Sequence, residues 1–154
     1  MPATRGRSPR NVTKGSYILL IELGRDRSIR VGALGDIGFP RGRYVYVGSA
    51  MSGIESRVAR HARRRKKEHW HIDRLIRAGR VVGAWTIPAK SDIECEVNDF
   101  VERLEGASTI VRGFGSSDCS CASHLHLVDE RAIASISSRF GPLTPATILR
   151  TFGR

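Results

Sequence analysis

The chain has 154 residues, 40% of them hydrophobic, with 26 Lys+Arg against 15 Asp+Glu and a formal charge of +11. This length and apolar share predict one compact domain with short tails and exclude wholesale disorder. No run of eighteen or more apolar residues and no signal-like N-terminus occurs, so a cytoplasmic protein without a spanning helix is expected.

Residues 1–13, with Arg5, Arg7, Arg10 and two prolines, read as a flexible basic arm. Tyr17-Ile18-Leu19-Leu20-Ile21-Glu22-Leu23 is a β-prone run closed by the turn signal Gly24-Arg25-Asp26-Arg27. Ser28-Ile29-Arg30-Val31 alternates as a hairpin partner would. After a glycine-punctuated stretch, Tyr44-Val45-Tyr46-Val47-Gly48 gives a third strand. From Ile54 the period becomes helical: Ile54, Val58 and Ala62 form one stripe, while Arg57, Arg60, Arg63, Arg64, Arg65, Lys66 and Lys67 fill the other directions.

A second helix is expected from His69 to Ala78-Gly79, a strand from Arg80 to Ile87, and a third helix capped by Ser91 or Asp92 and running to Gly106. A short strand at Leu125–Val128 and a helix at Glu130–Ser138 precede a tail opened by Gly141-Pro142. This order predicts an α+β domain: a small, mainly antiparallel sheet, its early strands a meander, flanked by helices. The expected division is an arm over 1–13, a domain over 14–128 and a C-terminal helix and tail over 129–154.

A surplus of positive charge attracts polyanions, of which phosphate backbones are the commonest; a basic surface kept for solubility is the alternative. Hydrolysis of a phosphodiester needs a deprotonated water, stabilisation of charge on the phosphoryl oxygens and room for the leaving 3′ oxygen. Arg57 suits the second task, because its guanidinium stays protonated and gives two parallel hydrogen bonds to phosphate. His61, one turn later, shares its helix face. Glu94 suits Mg²⁺ or Mn²⁺, ions that keep several waters and take only one or two carboxylates. Glu96 competes with it. The bland readings are core tyrosines with satisfied hydroxyls and a solvated cationic helix.

The residues Gly15-Ser16-Tyr17, Tyr46-Val47-Gly48, Arg57-x-x-Arg60-His61 and a helical glutamate, in that order, resemble the motifs of the GIY-YIG nuclease superfamily over roughly residues 15–105. The segments Gly42 to Ala50, Lys67-Glu68-His69-Trp70-His71-Ile72-Asp73, Glu94-Cys95-Glu96 and Gly113 to Cys119 more closely resemble an archaeal and bacterial family related to that superfamily, sometimes fused to an endonuclease III-like glycosylase. The resemblance implies a GIY-YIG-like domain over 14–128 and a metal-dependent nuclease acting on DNA rather than RNA, with a DNA-repair protein as a further partner. It assigns catalysis to Tyr17, Tyr46, Arg57 and His61 and the metal to Glu94. Tyr17, or its phenolate, would take the proton from water, which requires neighbouring cations to lower its pKa from about 10.

Nucleic acid is expected along Arg60, Arg63, Arg64, Arg65, Lys66, Lys67, His69 and His71. Two departures stand out: Ser16 replaces isoleucine in the first motif, and the late asparagine of many members has no counterpart beyond Asn11 and Asn98. A non-catalytic nucleic-acid-binding module on the same scaffold is the rival reading.

Three cysteines, Cys95, Cys119 and Cys121, cannot pair completely within one chain, which argues against a disulfide framework. Cys119-x-Cys121-x-x-His124-x-His126 places four soft ligands within eight residues, a set suited to Zn²⁺. Buried structural cysteines and hydrogen-bonded histidines are its alternative. A zinc-stabilised adaptor of a repair complex is the third reading that follows.

Overall fold

Strand β1, Gly15–Leu23, is apolar at nearly every position because both of its faces are covered. In this computed structural model, which describes residues 13–64, 66–116 and 119–152, β1 is a central strand of a six-stranded sheet. Its neighbours are β4 (Gly42–Ala50) and β5 (Arg80–Pro88), both antiparallel to it. Two short strands, β6 (Ala107–Ser108) and β7 (Leu125–Val128), extend the β4 side, and β8 (Thr144–Pro145) extends the β5 side. The arm expected over residues 1–13 lies, Thr13 apart, outside the described residues.

The helices are α1 (Ile54–Ala62), α2 (His71–Ala78), α3 (Glu94–Glu102), α4 (Glu130–Phe140) and α5 (Ala146–Leu149). Tyr17, Leu19, Ile21 and Leu23 of β1 pack into one cluster with Val58 of α1, Ile72 and Leu75 of α2 and Leu149 of α5. Ile18 and Leu20, pointing the other way, pack with Trp85, Val97 and Val101 of α3 and Ile136 of α4. The α+β class with an antiparallel sheet between helices is therefore as expected. No helix among the described residues is long and apolar enough to cross a membrane.

The early meander needs correction at one joint. Residues Arg27–Arg30 (β2) do not pair with β1; they form a separate two-stranded sheet with Asp36–Phe39 (β3). The reason is burial. A strand alternating half-buried and exposed cannot flank the most buried strand of the core, whereas the apolar β4 and β5 can. The strand β3 was hidden in the glycine-punctuated stretch.

The chain beyond Val128 is built into the same body. Asp129 caps α4 by accepting from the Arg131 and Ala132 backbone N–H groups. Leu149 is fully buried, and Arg150 Nε donates to the Ala62 carbonyl at the end of α1, 3.0 Å away. Leu149→Ala is thus expected to cost about 2–5 kcal/mol in urea unfolding, the range for emptying a buried leucine site. A loosely attached tail would shift the midpoint by less than about 0.5 kcal/mol.

Candidate active site and metal cluster

Tyr17 and Gly48 stand opposite each other in the β1–β4 pairing. A Cβ at Gly48 would fall on the ring and hydroxyl of Tyr17, so the glycine is what lets the phenol lie across the end of β4. Gly48→Ala should therefore displace Tyr17, with about 1–3 kcal/mol lost to overpacking, read by thermal unfolding. Tyr17, Tyr46 and Gly48 line a cavity of about 420 Å³ with Arg57, His69, Trp70, His71, Glu94, Phe114 and Gly115. Gly115, at φ +71°, lets the 113–116 turn close against Tyr46: a Cβ there would sit 3.0 Å from the Tyr46 ring.

Arg57 and His61 take different roles on α1. Arg57 is half-buried, donates from one guanidinium nitrogen to the Ser49 carbonyl at 3.1 Å, and lies 4.8 Å from the Trp70 ring centroid. A hydrogen bond and a cation–π contact thus fix its plane while other N–H donors remain. His61 belongs to the buried stripe of α1, only 1% exposed, with Nε2 2.9 Å from the Tyr17 hydroxyl. Its Nδ1 has no hydrogen-bond partner among the described residues and lies 4.0 Å from Asp73 Oδ1. Burial drives the His61 pKa down to about 3, the Asp73 carboxylate only partly offsetting it. His61 is therefore neutral at pH 7.

Burial also pushes the Tyr17 phenol far above its ordinary value, with Tyr46 adding to the effect and Arg57 opposing it. Tyr46 rises to about 12, by burial first and then the Glu94 charge. The lowering expected from neighbouring cations does not occur. One guanidinium cannot offset the desolvation of a fully enclosed phenol, and most of the cations lie outside the cavity.

Asp73 is the anchor beneath this site. Its side chain is completely buried and accepts two hydrogen bonds from Arg60, at 3.1 and 3.0 Å, and one each from the backbone N–H groups of His69 and Trp70, at 2.8 and 3.0 Å. The last of these starts α2 in the manner of a capping box. Arg60 also approaches Trp70, 4.5 Å from the ring centroid, and donates to the Lys67 carbonyl. Sequence reasoning placed Arg60 among nucleic-acid contacts; the structure turns it inward to Asp73. Trp70, which holds Arg57, enters the sequence reading only within the segment Lys67 to Asp73 that carries the family resemblance.

The other predicted basic residues divide in two. Arg63, Arg64 and Lys66 line a cleft of about 810 Å³ together with Arg77, Arg80 and Arg150. Lys66 Nζ also caps the end of α1, donating to the carbonyls of His61 and Arg63. Lys67 is exposed beside His69, in a smaller hollow with Arg60 and Arg63. His69 and His71 are exposed on the rim of the tyrosine cavity. Arg65 lies outside the described residues.

Glu94 opens α3, its backbone N–H held by Asp92 at 3.0 Å, and its half-buried carboxylate reaches the cavity; Glu96 is exposed and does not line it. Glu94 Oε2 also lies 2.7 Å from Nδ1 of the buried His124, which is 3.2 Å from the Val47 carbonyl. Burial disfavours a charge on His124, but the hydrogen bonds and charge of Glu94, with those from the Cys121 and Cys119 thiols, outweigh it and raise its pKa to about 10.

On its other side, His124 Nε2 is 3.4 Å from Cys119 Sγ. One potential ligand atom each from Cys95, Cys119, Cys121 and His124 lie within 4.8 Å of one another, a candidate metal-binding cluster. Cys95 replaces the predicted His126. The nitrogens of His126 are occupied, Nε2 at 2.8 Å from Asn98 Oδ1 and Nδ1 at 2.9 Å from the Thr109 hydroxyl. Asn98 also donates to the Ser123 carbonyl, so it is a buried brace rather than a member of the cavity. Cys95 escaped sequence reasoning because 24 residues separate it from Cys119, and only the position next to Glu94 hinted at it.

An antiparallel sheet between helices, with a tyrosine-lined cavity at the end of its middle strands and a thiol–imidazole cluster behind it, defines an α+β domain with two adjoining polar centres. Residues 16–143 match the model of the family described as domain of unknown function DUF123, and the chain belongs to that family. No curated protein and no solved structure matches the chain.

Proposed function

We propose that the protein is a metal-dependent nuclease that hydrolyses DNA phosphodiester bonds, using GIY-YIG-like chemistry. The observation that carries this reading is convergence: Tyr17, Tyr46, Arg57 and Glu94, far apart in the chain, line one cavity. A phosphodiester entering it meets the Arg57 guanidinium, whose free donors suit the charge that grows on the phosphoryl oxygens. Tyr46 offers a hydroxyl from the neighbouring strand. Glu94 fits Mg²⁺ or Mn²⁺, since one of its oxygens is engaged by His124 and one carboxylate among waters meets the needs of either ion. When bound, such an ion supplies Lewis-acid stabilisation of the phosphoryl and leaving oxygens. The thiol–imidazole cluster calls for a different ion, Zn²⁺, because three sulfurs and one nitrogen are a soft donor set.

Tyr17 works as a relay in this scheme. In the Nδ1–H tautomer of neutral His61 the Tyr17 hydroxyl donates to Nε2, and its oxygen keeps a lone pair for a proton from water. Transfer of the phenolic proton to His61 as the water proton reaches Tyr17 avoids a free phenolate, at the cost of a transient imidazolium that the same burial disfavours. Asp73, 4.0 Å from His61 Nδ1, then faces the imidazolium charge. The cleft lined by Arg63, Arg64 and Lys66 gives the flanking backbone a cationic bed.

The test is cleavage of end-labelled duplex, flapped and damaged DNA by purified protein with Mg²⁺ or Mn²⁺, against a control in EDTA. Metal-dependent nicking is the expected result. Salt-dependent binding with no cleavage of any substrate would favour the rival module, which the same cationic cleft also fits.

A further inference from the structure

We infer that Cys95, Cys119, Cys121 and His124 hold one zinc ion whose task is to orient Glu94 toward the tyrosine cavity. This rests on the nuclease reading for what Glu94 does, but not for the zinc site itself. The four potential ligand atoms come from two places: Cys95 from the first turn of α3, and the others from the segment leading into β7. That segment contains two glycines in left-handed backbone, Gly113 and Gly115, and no helix or strand among its described residues before Leu125. An ion ligated from both sides would fasten it to α3.

Three thiolates and one imidazole complete a tetrahedral set, which leaves no open position and marks a structural rather than a catalytic zinc. The three thiols lose their protons to solvent as the ion binds.

The orientation of His124 gives the site its second role. Nε2 faces the thiols, 3.4 Å from Cys119 Sγ, while Nδ1 faces Glu94 Oε2 at 2.7 Å. Metal on Nε2 fixes Nδ1 as the protonated nitrogen, so its N–H faces Glu94 Oε2 and, at 3.2 Å, the Val47 carbonyl. This is the carboxylate–histidine–metal arrangement by which outer partners orient ligands. Here the carboxylate is shared: it supports the zinc ligand on one side and lines the cavity on the other. His124 is thus a positioning residue, and Glu94 joins the two centres.

Three measurements test this on the full chain. Metal analysis of wild-type protein should find one zinc per chain. Replacement by Co²⁺ should give the intense sulfur-to-metal charge-transfer absorption of a thiolate site, weakened in both Cys95→Ser and Cys121→Ser. Mn²⁺ binding, followed by electron paramagnetic resonance without DNA, should be about 10–100-fold weaker in Cys121→Ser than in wild type, the usual penalty for losing an outer partner. Hydrogen exchange of β1 and β5 amides, remote from the cluster, checks that this variant keeps its core.

Absence of zinc together with a featureless cobalt spectrum would overturn the site. Stoichiometric zinc with unchanged Mn²⁺ affinity in the folded variant would overturn the orienting role. If Cys121→Ser does not fold, the comparison passes to His124→Gln, whose amide keeps a donor near Glu94; unchanged Mn²⁺ affinity with zinc lost would again reject the role. None of these readings depends on cleavage, so failure of the nuclease proposal would register separately.

Discussion

Arg57→Ala is expected to slow metal-dependent DNA cleavage about 10²–10³-fold, the scale for removing one preorganised donor to a developing oxyanion. The guanidinium is held by the Ser49 carbonyl and the Trp70 ring, so its orientation is set before substrate arrives. Little reorganisation is then needed as charge builds on the phosphoryl oxygens. Arg57→Lys should recover only a small part of the rate, because an ammonium lacks both the planar stacking surface and the two parallel donors. The loss should fall on kcat more than on KM, since the cationic cleft proposed to hold the flanking backbone is untouched. Urea unfolding should change by no more than about 1 kcal/mol, which separates lost chemistry from lost structure. Equal cleavage by wild type and Arg57→Ala would remove the guanidinium from the mechanism.

Much of this architecture was legible in the chain. The β-prone run Tyr17–Leu23 marked a strand, and the 3.6-residue stripe of Ile54, Val58 and Ala62 marked α1. What failed was partner choice. A period of two shows which face of β2 is buried but not which strand lies beside it, and Ser28-Ile29-Arg30-Val31 looked like the nearest available neighbour.

At the site, the motif resemblance brought out Tyr17, Tyr46, Arg57 and His61, whose local order a strand pair and a following helix preserve in space. Cys95 and Trp70 were not given their roles by spacing, since each reaches its partners across a fold-level gap. Charge alone does not separate the basic residues: Arg60 lines a cationic hollow and also pairs with the buried Asp73, which arrives from α2.

That pair makes Asp73→Ala a strongly destabilising substitution, expected to cost about 3–5 kcal/mol, the range for removing one partner of a buried ion pair. It strands the Arg60 guanidinium and two backbone N–H groups, those of His69 and Trp70, in one step. For a domain whose total stability is about 5–15 kcal/mol, that is a large share. Asp73→Asn should cost less, because an amide oxygen still accepts, and urea midpoints of the two variants measure the difference.

Acid should reproduce part of the same loss. The Asp73 pKa is lowered, against the penalty of its burial, by hydrogen bonds from Arg60, Trp70 and His69, so its contribution is present above the unfolded carboxyl pKa and disappears as pH falls through the lower folded value. His61 acts earlier. Held neutral down to about pH 3, it binds its proton in the unfolded chain near pH 6.5, so stability should fall by up to about 1.4 kcal/mol per pH unit between those values. The two windows overlap just below pH 4, and His61→Phe should flatten the upper one while leaving the lower in place. Because Trp70 begins at the Asp73 carboxylate and ends against Arg57, weakening this anchor should also reduce cleavage before the chain unfolds.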